Sequence, residues 1–489
     1  MPTLFDRSRL FAAFAIFAAF YAETAGAAER PNVLWIVADD LGPELGCHGY
    51  AGVATPQIDR LAAGGVRFTR AFATAPVCSP SRSAFITGMY QTAIGAHHHR
   101  TEIPRPLPVP VKPVTDLFHA AGYRTCNSAG PPNFEKPGKI DYNFVHDPKQ
   151  LFDGADWRNR AENQPFFAQI QINEPHRPFV KSDKPCPAEA KIPAFYPDHP
   201  VTRADWANYL ASIEVLDTKV GEILDRLDAE GLTDNTVVFF FGDHGRPHVR
   251  GKQWLYEGGL HIPLIVRWPG KLAPGGVDER LVSMIDLAPA SLAAAGIAVP
   301  AWMQGRDLFA ADFANGRDAV YAARDRCGDA LDRIRCVRTE RWKYIRNFEP
   351  ERSYSQVSSY KKLQYPVLTL MAVMHAQGRL DGAQEAWFAE TRPSEELYDL
   401  DADPDERHNL ASDPAHAETL AELRGKLETW LAETGDQGAE PEGDAAFFEE
   451  LLANSRRYYE NGMKRKNLAP DISDRDYLEW WERELGIKE

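Results

Sequence analysis

Asn32-Val33-Leu34-Trp35-Ile36-Val37-Ala38 is apolar throughout after its first residue and runs directly into Asp39-Asp40. Thr236 to Phe241 (Thr-Val-Val-Phe-Phe-Phe) repeats the pattern and leads into Gly242-Asp243-His244. Continuous, β-rich apolar runs of this kind mark strands covered on both faces, as in a parallel sheet. Phe166 to Ile172 reads as a third such strand and Leu264 to Arg267 as a fourth. Between them Trp206, Leu210, Ile213, Leu216, Val220, Ile223 and Leu227 recur at helical spacing, with Asp205 placed to cap the start and Gly231 to end it. Strands alternating with helices predict an α/β domain from about residue 30 to about residue 315.

The rhythm changes on either side of that domain's edge. Pro104 to Pro113 holds five prolines and reads as a rigid surface loop. After residue 318 no βαβ pattern follows, and Arg335 to Arg346, with Val337, Trp342, Tyr344 and Ile345, reads as a pair of short strands. A smaller antiparallel subdomain with a packed helix is expected over 318–435, then a charged helical tail over 436–489. The tail's Phe447, Phe448, Leu451, Leu452, Tyr458 and Tyr459 read as packing.

The chain has 489 residues, 44% of them apolar, enough for one large core and a second smaller one. A net charge of −15 argues against nucleic-acid binding, which depends on neutralising phosphates. An anionic substrate would need a local basic pocket. Residues 1–27 read as a secretory signal: Arg7 and Arg9, the apolar run Leu10 to Ala22, and Ala25-Gly26-Ala27 as a small-residue cleavage site. The expectation is a secreted or periplasmic protein with no stable membrane insertion once the signal is cleaved. Six cysteines lack CxxC spacing, so neither a zinc site nor a dense disulfide framework is indicated. Cys327 and Cys336 stand close enough to pair across a hairpin or to remain two thiols.

Ligands of open α/β sheets collect at the carboxyl ends of the strands. Asp39, Asp40, Asp243 and His244 all fall there, and three carboxylates brought together need a cation; an oxygen-rich set favours a hard divalent ion such as calcium. Cys78-Ser79-Pro80-Ser81-Arg82 adds a second element. Pro80 suits the first turn of a helix, which puts residue 78 at a helix N-terminus, where free N–H groups favour an anion.

That pentapeptide resembles the site at which sulfatases convert cysteine to formylglycine. The resemblance extends through Pro31 to Gly42, Thr55 to Leu61, Val77 to Tyr90, Gly242-Asp243-His244-Gly245, Gly251-Lys252, Tyr256 to Gly259, Pro263 to Gly270 and Glu396 to Leu400 with Asp403-Pro404 and Asn409-Leu410. The texture of Gln91 to Arg100, Asp141 to Phe144 and Arg324 to Arg326 is similar to the bacterial branch related to heparan N-sulfatase. The resemblance implies an alkaline-phosphatase-like fold: a mixed, mostly parallel sheet sandwiched by helices, with a smaller C-terminal antiparallel sheet. It implies formylglycine made from Cys78 by a maturation enzyme, and one Ca²⁺ held by Asp39, Asp40, residue 78, Asp243 and His244. A hydrated aldehyde offers one hydroxyl for attack on sulfur and a second whose deprotonation expels sulfate.

By the same resemblance Arg82 steadies the hydrate, while Lys252 and His176 hold the sulfate and supply a proton. The chain departs from many sulfatases in two places. Gly122-Tyr123-Arg124-Thr125-Cys126-Asn127-Ser128 stands where they carry Lys-Trp-His, which leaves Lys139 and Lys136 as rival sulfate contacts. His244 replaces the usual Asn and is a softer ligand. His97, His98 and Arg100, with Arg324, Arg326 and Arg333, are candidates for the sugar pocket. Three consecutive histidines, including His99, cannot all face one ion, so the tract either lines that pocket or forms a surface loop.

The activity implied is hydrolysis of sulfate esters or sulfamates on a glycan, with glycosaminoglycan or heparan-type saccharides favoured. A formylglycine-dependent phosphodiesterase or phosphonate monoester hydrolase competes; His244 favours it and Asp40 opposes it. An inactive carbohydrate-binding homologue would keep the basic pocket without needing Cys78.

Overall fold

The computed structural model describes residues 30–487 apart from 314 and 357, so the expected signal segment lies outside the described residues. Its strands are β1 Asn32–Ala38, β2 Val66–Phe72, β3 Arg124–Ser128, β4 Phe166–Ile172, β5 Thr236–Gly242, β6 His261–Arg267, β7 Gly276–Asp278, β8 Val282–Ser283, β9 Ala319–Arg324, β10 Ile334–Thr339, β11 Trp342–Asn347 and β12 Glu395–Asp399. The larger sheet has eight strands in the order β3-β4-β1-β5-β6-β2-β7, with β8 also pairing β2. β3, β4, β1 and β5 run parallel. β6 pairs antiparallel with both β5 and β2, so the fourth expected strand runs opposite to the parallel set. The segment joining β5 to β6 contains one four-residue helix, Glu257–Leu260, and makes no crossover to the far end of the sheet.

Alternation along β1 divides the interior. Leu34, Ile36 and Ala38 face a core shared with the long helix Pro200–Ala229, while Val33, Trp35 and Val37 face the opposite core. Trp35 anchors the second one edge-on to Phe85, Phe167 and Phe241, at centroid separations of 5.7, 5.0 and 5.7 Å. Phe85 belongs to the helix Cys78–Thr87, every residue of which is buried. Burial on both faces is what the uninterrupted apolar strands demand.

The long helix starts earlier than its apolar spacing suggests. His199 accepts the Val201 N–H, and Pro200 opens the first turn. Asp205 is not the cap; it is buried inside the helix and receives both Nη atoms of Arg177 at 2.7 and 2.5 Å. Gly231, at φ +67°, takes the left-handed conformation just past the end.

The second sheet is antiparallel in the order β12-β11-β10-β9. Leu423, Leu427 and Trp430 of the helix Ala417–Thr434 pack with its Val337, Tyr344 and Leu397. The tail forms the helices Ala445–Arg465 and Asp474–Glu484, docked where Met463, Tyr477 and Trp481 gather around Leu363. Its aromatic stripe divides: Leu451 is buried, but Leu452 and Tyr458 are 48% and 44% exposed. All six cysteines are free, with Cys327 and Cys336 buried and unbridged. Among the described residues no helix is long and apolar enough to cross a membrane.

Candidate active site

Because β4, β1 and β5 are parallel neighbours, their carboxyl ends deliver three loops to one place. Asn173–His176 follows β4, Asp39-Asp40 follows β1, and Asp243-His244 follows β5. The turn after β1 puts Asp40 at φ +68°, a conformation that aspartate tolerates better than most residues. Asp243 Oδ1 fixes that turn by accepting the N–H groups of Asp40 at 2.9 Å and His244 at 3.0 Å.

The helix Cys78–Thr87 is pinned to the same strand ends one turn beyond residue 78. Ser81 Oγ donates to the Asp243 carbonyl at 2.6 Å, and Arg82 donates through Nε to Asp243 Oδ2 at 2.9 Å and through Nη1 to Gln171 Oε1 at 2.6 Å. Ser79 and Ser83 hold the surrounding loops: their hydroxyls accept the N–H groups of Arg100 at 2.7 Å and Asn143 at 2.8 Å. The small polar residues around Cys78 thereby hold the loops that frame it.

Cys78 Sγ is 1% exposed and lies 3.4 Å from Asp39 Oδ1, 3.5 Å from His244 Nε2 and 3.6 Å from Lys252 Nζ. Lys252 Nζ donates to both oxygens of Asp40, at 2.8 and 2.9 Å, and Lys139 Nζ donates to Asp39 Oδ2 at 2.7 Å. Burial alone would raise both carboxyl groups, but nearby cations outweigh it. Lys139 and Arg82 hold Asp39 well below the usual carboxylate range, and Lys252 with His176 does the same for Asp40. His244 moves the other way: burial would lower it, yet Asp243 and Asp40 raise it well above the ordinary imidazole value. His176 is depressed by burial and by the charge of Lys252.

Asp39, Asp40, Cys78 and His244 each offer one ligand atom, and these atoms all lie within 4.8 Å of one another. His244 Nδ1 faces the Gly245 carbonyl at 3.0 Å and Nε2 lies 2.9 Å from Asp40 Oδ1, so an ion that displaced the Nε2 proton would leave the remaining proton on Nδ1, held by the carbonyl. That is the tautomer a ligating histidine adopts. Two buried carboxylates and this imidazole therefore fit a divalent ion. Asp243 is adjacent but outside this group, its oxygens engaged by two backbone N–H groups and Arg82.

Of the two lysines in contention for the sulfate, the structure brings Lys139 to the cluster, while Lys136 lines an adjoining cavity of about 450 Å³ that also reaches Asp39 and Arg82. On the other side His176 and Lys252 sit in a cavity of about 530 Å³ together with His99, Arg100 and Arg326. His97 and His98 are not among its lining residues; they face a narrower crevice with Gln437 and Glu442. Arg324 is buried against Asp332 and lies over the Trp254 ring, and Arg333 lies over Phe348, so neither lines the cavity. Arg326 is held bidentately by Glu442 of the tail segment.

Several residues here escaped sequence reading. Asp141 lies 3.3 Å from Arg100 and 3.5 Å from Lys139, and its pKa is brought down to about 2 against the effect of burial by Lys139 and Arg100. Gln171 receives Arg82, and the Tyr360 ring lies 5.2 Å from Lys252 Nζ. Asp141 stands in the quoted run Asp141 to Phe144; Gln171 and Tyr360 carry no local signal.

Residues 31–297 match the family model described as sulfatase, and residues 242–362 match the one described as N-sulphoglucosamine sulphohydrolase, C-terminal. An ulvan-active sulfatase of Formosa agariphila is 33% identical over 470 residues, covering 85% of this chain and 77% of that protein. Human N-sulphoglucosamine sulphohydrolase is 26% identical over 471 residues, covering 83% and 91%. Among solved structures, one in complex with its substrate D-glucosamine-2-N,6-O-disulfate shares the fold at a TM-score of 0.62 and 18% identity, covering 85% of this chain and 100% of that one. With the alkaline-phosphatase-like sheet and the cluster at its carboxyl ends, these matches establish that the chain belongs to the sulfatase family and is a sulfuric ester hydrolase.

Proposed function

We propose that this sulfatase removes sulfate from a glycan, as an ester or a sulfamate, and that a glycosaminoglycan-type saccharide carrying N-sulfated glucosamine is its favoured class. The observation that carries the reading is the position of Cys78: a buried thiol at a helix N-terminus, touching Asp39, His244 and Lys252 in a cluster that also holds Asp40, Arg82 and Lys139. In this proposal Cys78 is the precursor of formylglycine, whose hydrate supplies the attacking hydroxyl, and calcium supplies positive charge beside it. Asp39, Asp40 and His244 would hold the ion with residue 78, and Asp243 would support the site by fixing the turn at Asp40. At 1% exposure the thiol is closed to any maturation enzyme in the folded chain, so its conversion would precede closure of the site.

The chain's own groups divide the remaining work. Arg82 keeps residue 78 and Asp243 in register. Lys139 and Lys252 offer two cationic donors to the non-bridging sulfate oxygens, where charge must be held as the S–O or S–N bond breaks. His176, with Nδ1 at the Arg177 carbonyl, turns Nε2 toward Asp40 and is positioned to hold the proton that the departing group takes up. Arg100 and Arg326 line the leaving-group side and would meet carboxylate or hydroxyl groups of a sugar.

The relatives support a glycan substrate, one being named for ulvan, and the one named for N-sulphoglucosamine supports the amino-sugar class. The test is kcat/KM of matured protein on defined N- and O-sulfated disaccharides, an aryl sulfate and an aryl phosphodiester. A clear preference for a sulfated disaccharide supports the reading. Preference for the phosphodiester would move the enzyme to the phosphonate hydrolase side of the superfold.

A further inference from the structure

The cavity that contains His176 and Lys252 is closed on one side by a part of the chain outside both family matches, which end at residues 297 and 362. Leu451, Asn454, Ser455 and Tyr458 line it, and all four belong to the helix Ala445–Arg465. Their spacing of three, four and seven residues places them on one helix face. Docking fixes the direction of that face. Ser359 Oγ donates to the Ser455 carbonyl at 3.3 Å, and Gly462 sits so close to Leu363 that a Cβ there would come within 2.5 Å of its side chain. The helix start is capped by Asp444, which accepts the Phe447 N–H at 2.9 Å.

On this anchored face Tyr458 stands apart. Leu451 is 5% exposed and contributes packing, but Tyr458 is 44% exposed, an aromatic ring held in water at the edge of the cavity. The same cavity is lined by the guanidinium-bearing residues Arg100 and Arg326. The lining therefore offers an aromatic surface and an amide together with cationic groups. A pyranose has the matching division, an apolar C–H face and a hydroxylated or carboxylated edge. At about 530 Å³ the cavity falls within the roughly 300–1,000 Å³ typical of ligand sites, with room beyond a sulfate group.

We propose that the Leu451–Tyr458 face is a saccharide-binding wall: Tyr458 stacks on the sugar adjoining the sulfated residue, Asn454 hydrogen-bonds its hydroxyls, and the tail sets the preference for an oligosaccharide over a small sulfate ester. This rests on the glycan reading above.

The test uses the full-length matured protein with three substrates: a disaccharide bearing N-sulfoglucosamine at its non-reducing end, the N-sulfoglucosamine monosaccharide, and an aryl sulfate. Tyr458→Ala is expected to raise KM for the disaccharide about ten-fold while leaving the two small substrates within about two-fold. Tyr458→Phe, which keeps the ring, should match the wild type, as should Leu452→Ala on the outward face. Three results would overturn the assignment: an unchanged disaccharide KM in Tyr458→Ala, an equal loss on all three substrates, or a Tyr458→Phe loss as large as that of Tyr458→Ala. A wild type that prefers the disaccharide alongside an unaffected Tyr458→Ala removes the wall alone. A wild type that turns over only the aryl sulfate removes the glycan reading and the wall together.

Discussion

The floor of the active site and its rim are built on different principles. On the floor, aspartates and His244 project from adjacent strand ends, Arg82 comes from one helix, and Lys139 and Lys252 reach in from loops. Each touches another: Asp39 with Lys139, Asp40 with Lys252 and His244, Asp243 with Arg82. All of these except Lys139 are almost wholly buried. On the rim the groups belong to the second sheet's loops and to the tail, as when Arg326 of the second sheet's region meets Glu442 of the tail. Neighbouring strand ends preset the floor, whereas the rim exists only once the second sheet and the tail have docked. Chemistry shared by a family belongs on the first kind of surface, and substrate preference has room to vary on the second.

The most severe way to break this contrast is at the floor. Cys78→Ala or Cys78→Ser should abolish turnover of every substrate, by roughly 10⁴-fold or more, with the circular dichroism spectrum and Tm of the wild type. Retained activity on any substrate would remove residue 78 from the chemistry.

Next in size is the loss of the ion. Chelation should reduce activity by more than about ten-fold, and calcium should restore it and raise Tm, since a ligand that binds only the folded state stabilises it. Asp40→Asn should lose the calcium-dependent rise in Tm as well as the rate. Restoration by manganese or zinc but not calcium would reassign the metal and strengthen the phosphodiesterase alternative.

At the rim a smaller and selective effect is expected. Arg326→Ala should lower kcat/KM for the sulfated disaccharide by about ten-fold and spare the aryl sulfate. Because the change strands buried Glu442, the double variant Arg326→Ala/Glu442→Gln should recover stability without recovering the disaccharide. A uniform loss across both substrates would mean that the rim reads nothing beyond the sulfate.

The smallest effect concerns the network that joins second sheet to tail. Burial pushes the Asp325 carboxyl from 3.8 up to about 6, although Arg335 opposes the shift. A carboxyl raised by folding binds its proton more tightly in the folded state, so its contribution is present at low pH and declines as the pH rises from about 4 through 6. Urea denaturation across that range should show a falling stability component of at most about 1.4 kcal/mol per pH unit, absent in Asp325→Asn. An identical slope in the variant would place the titration elsewhere.

Much of the floor was legible in the sequence because its information is local. A run of seven residues from Asn32 gives β1, Phe166 to Ile172 gives β4, and the acidic residues that follow a strand identify its carboxyl end. The direction of β6 was not legible, because it depends on whether the connecting chain crosses the sheet. Nor was the start of the long helix: His199 and Pro200 supply a cap and a first turn that outrank the apolar spacing, which frees Asp205 to hold Arg177. The rim was the least legible. Arg324, Arg326 and Arg333 look alike in sequence, yet one is buried on Asp332, one lines the cavity and one covers Phe348. The tail's aromatic residues carried a helical pattern but no sign that Tyr458 would line the cavity of His176 and Lys252 while Met463 closed a core.

The most direct test of the proposed chemistry is peptide mass spectrometry across residues 77–90, made on preparations whose specific activity is measured in parallel. Specific activity should rise in proportion to the fraction of residue 78 that carries an aldehyde in place of the thiol, and extrapolate to zero when only cysteine is present. Full activity in a preparation carrying only cysteine at position 78 would contradict it.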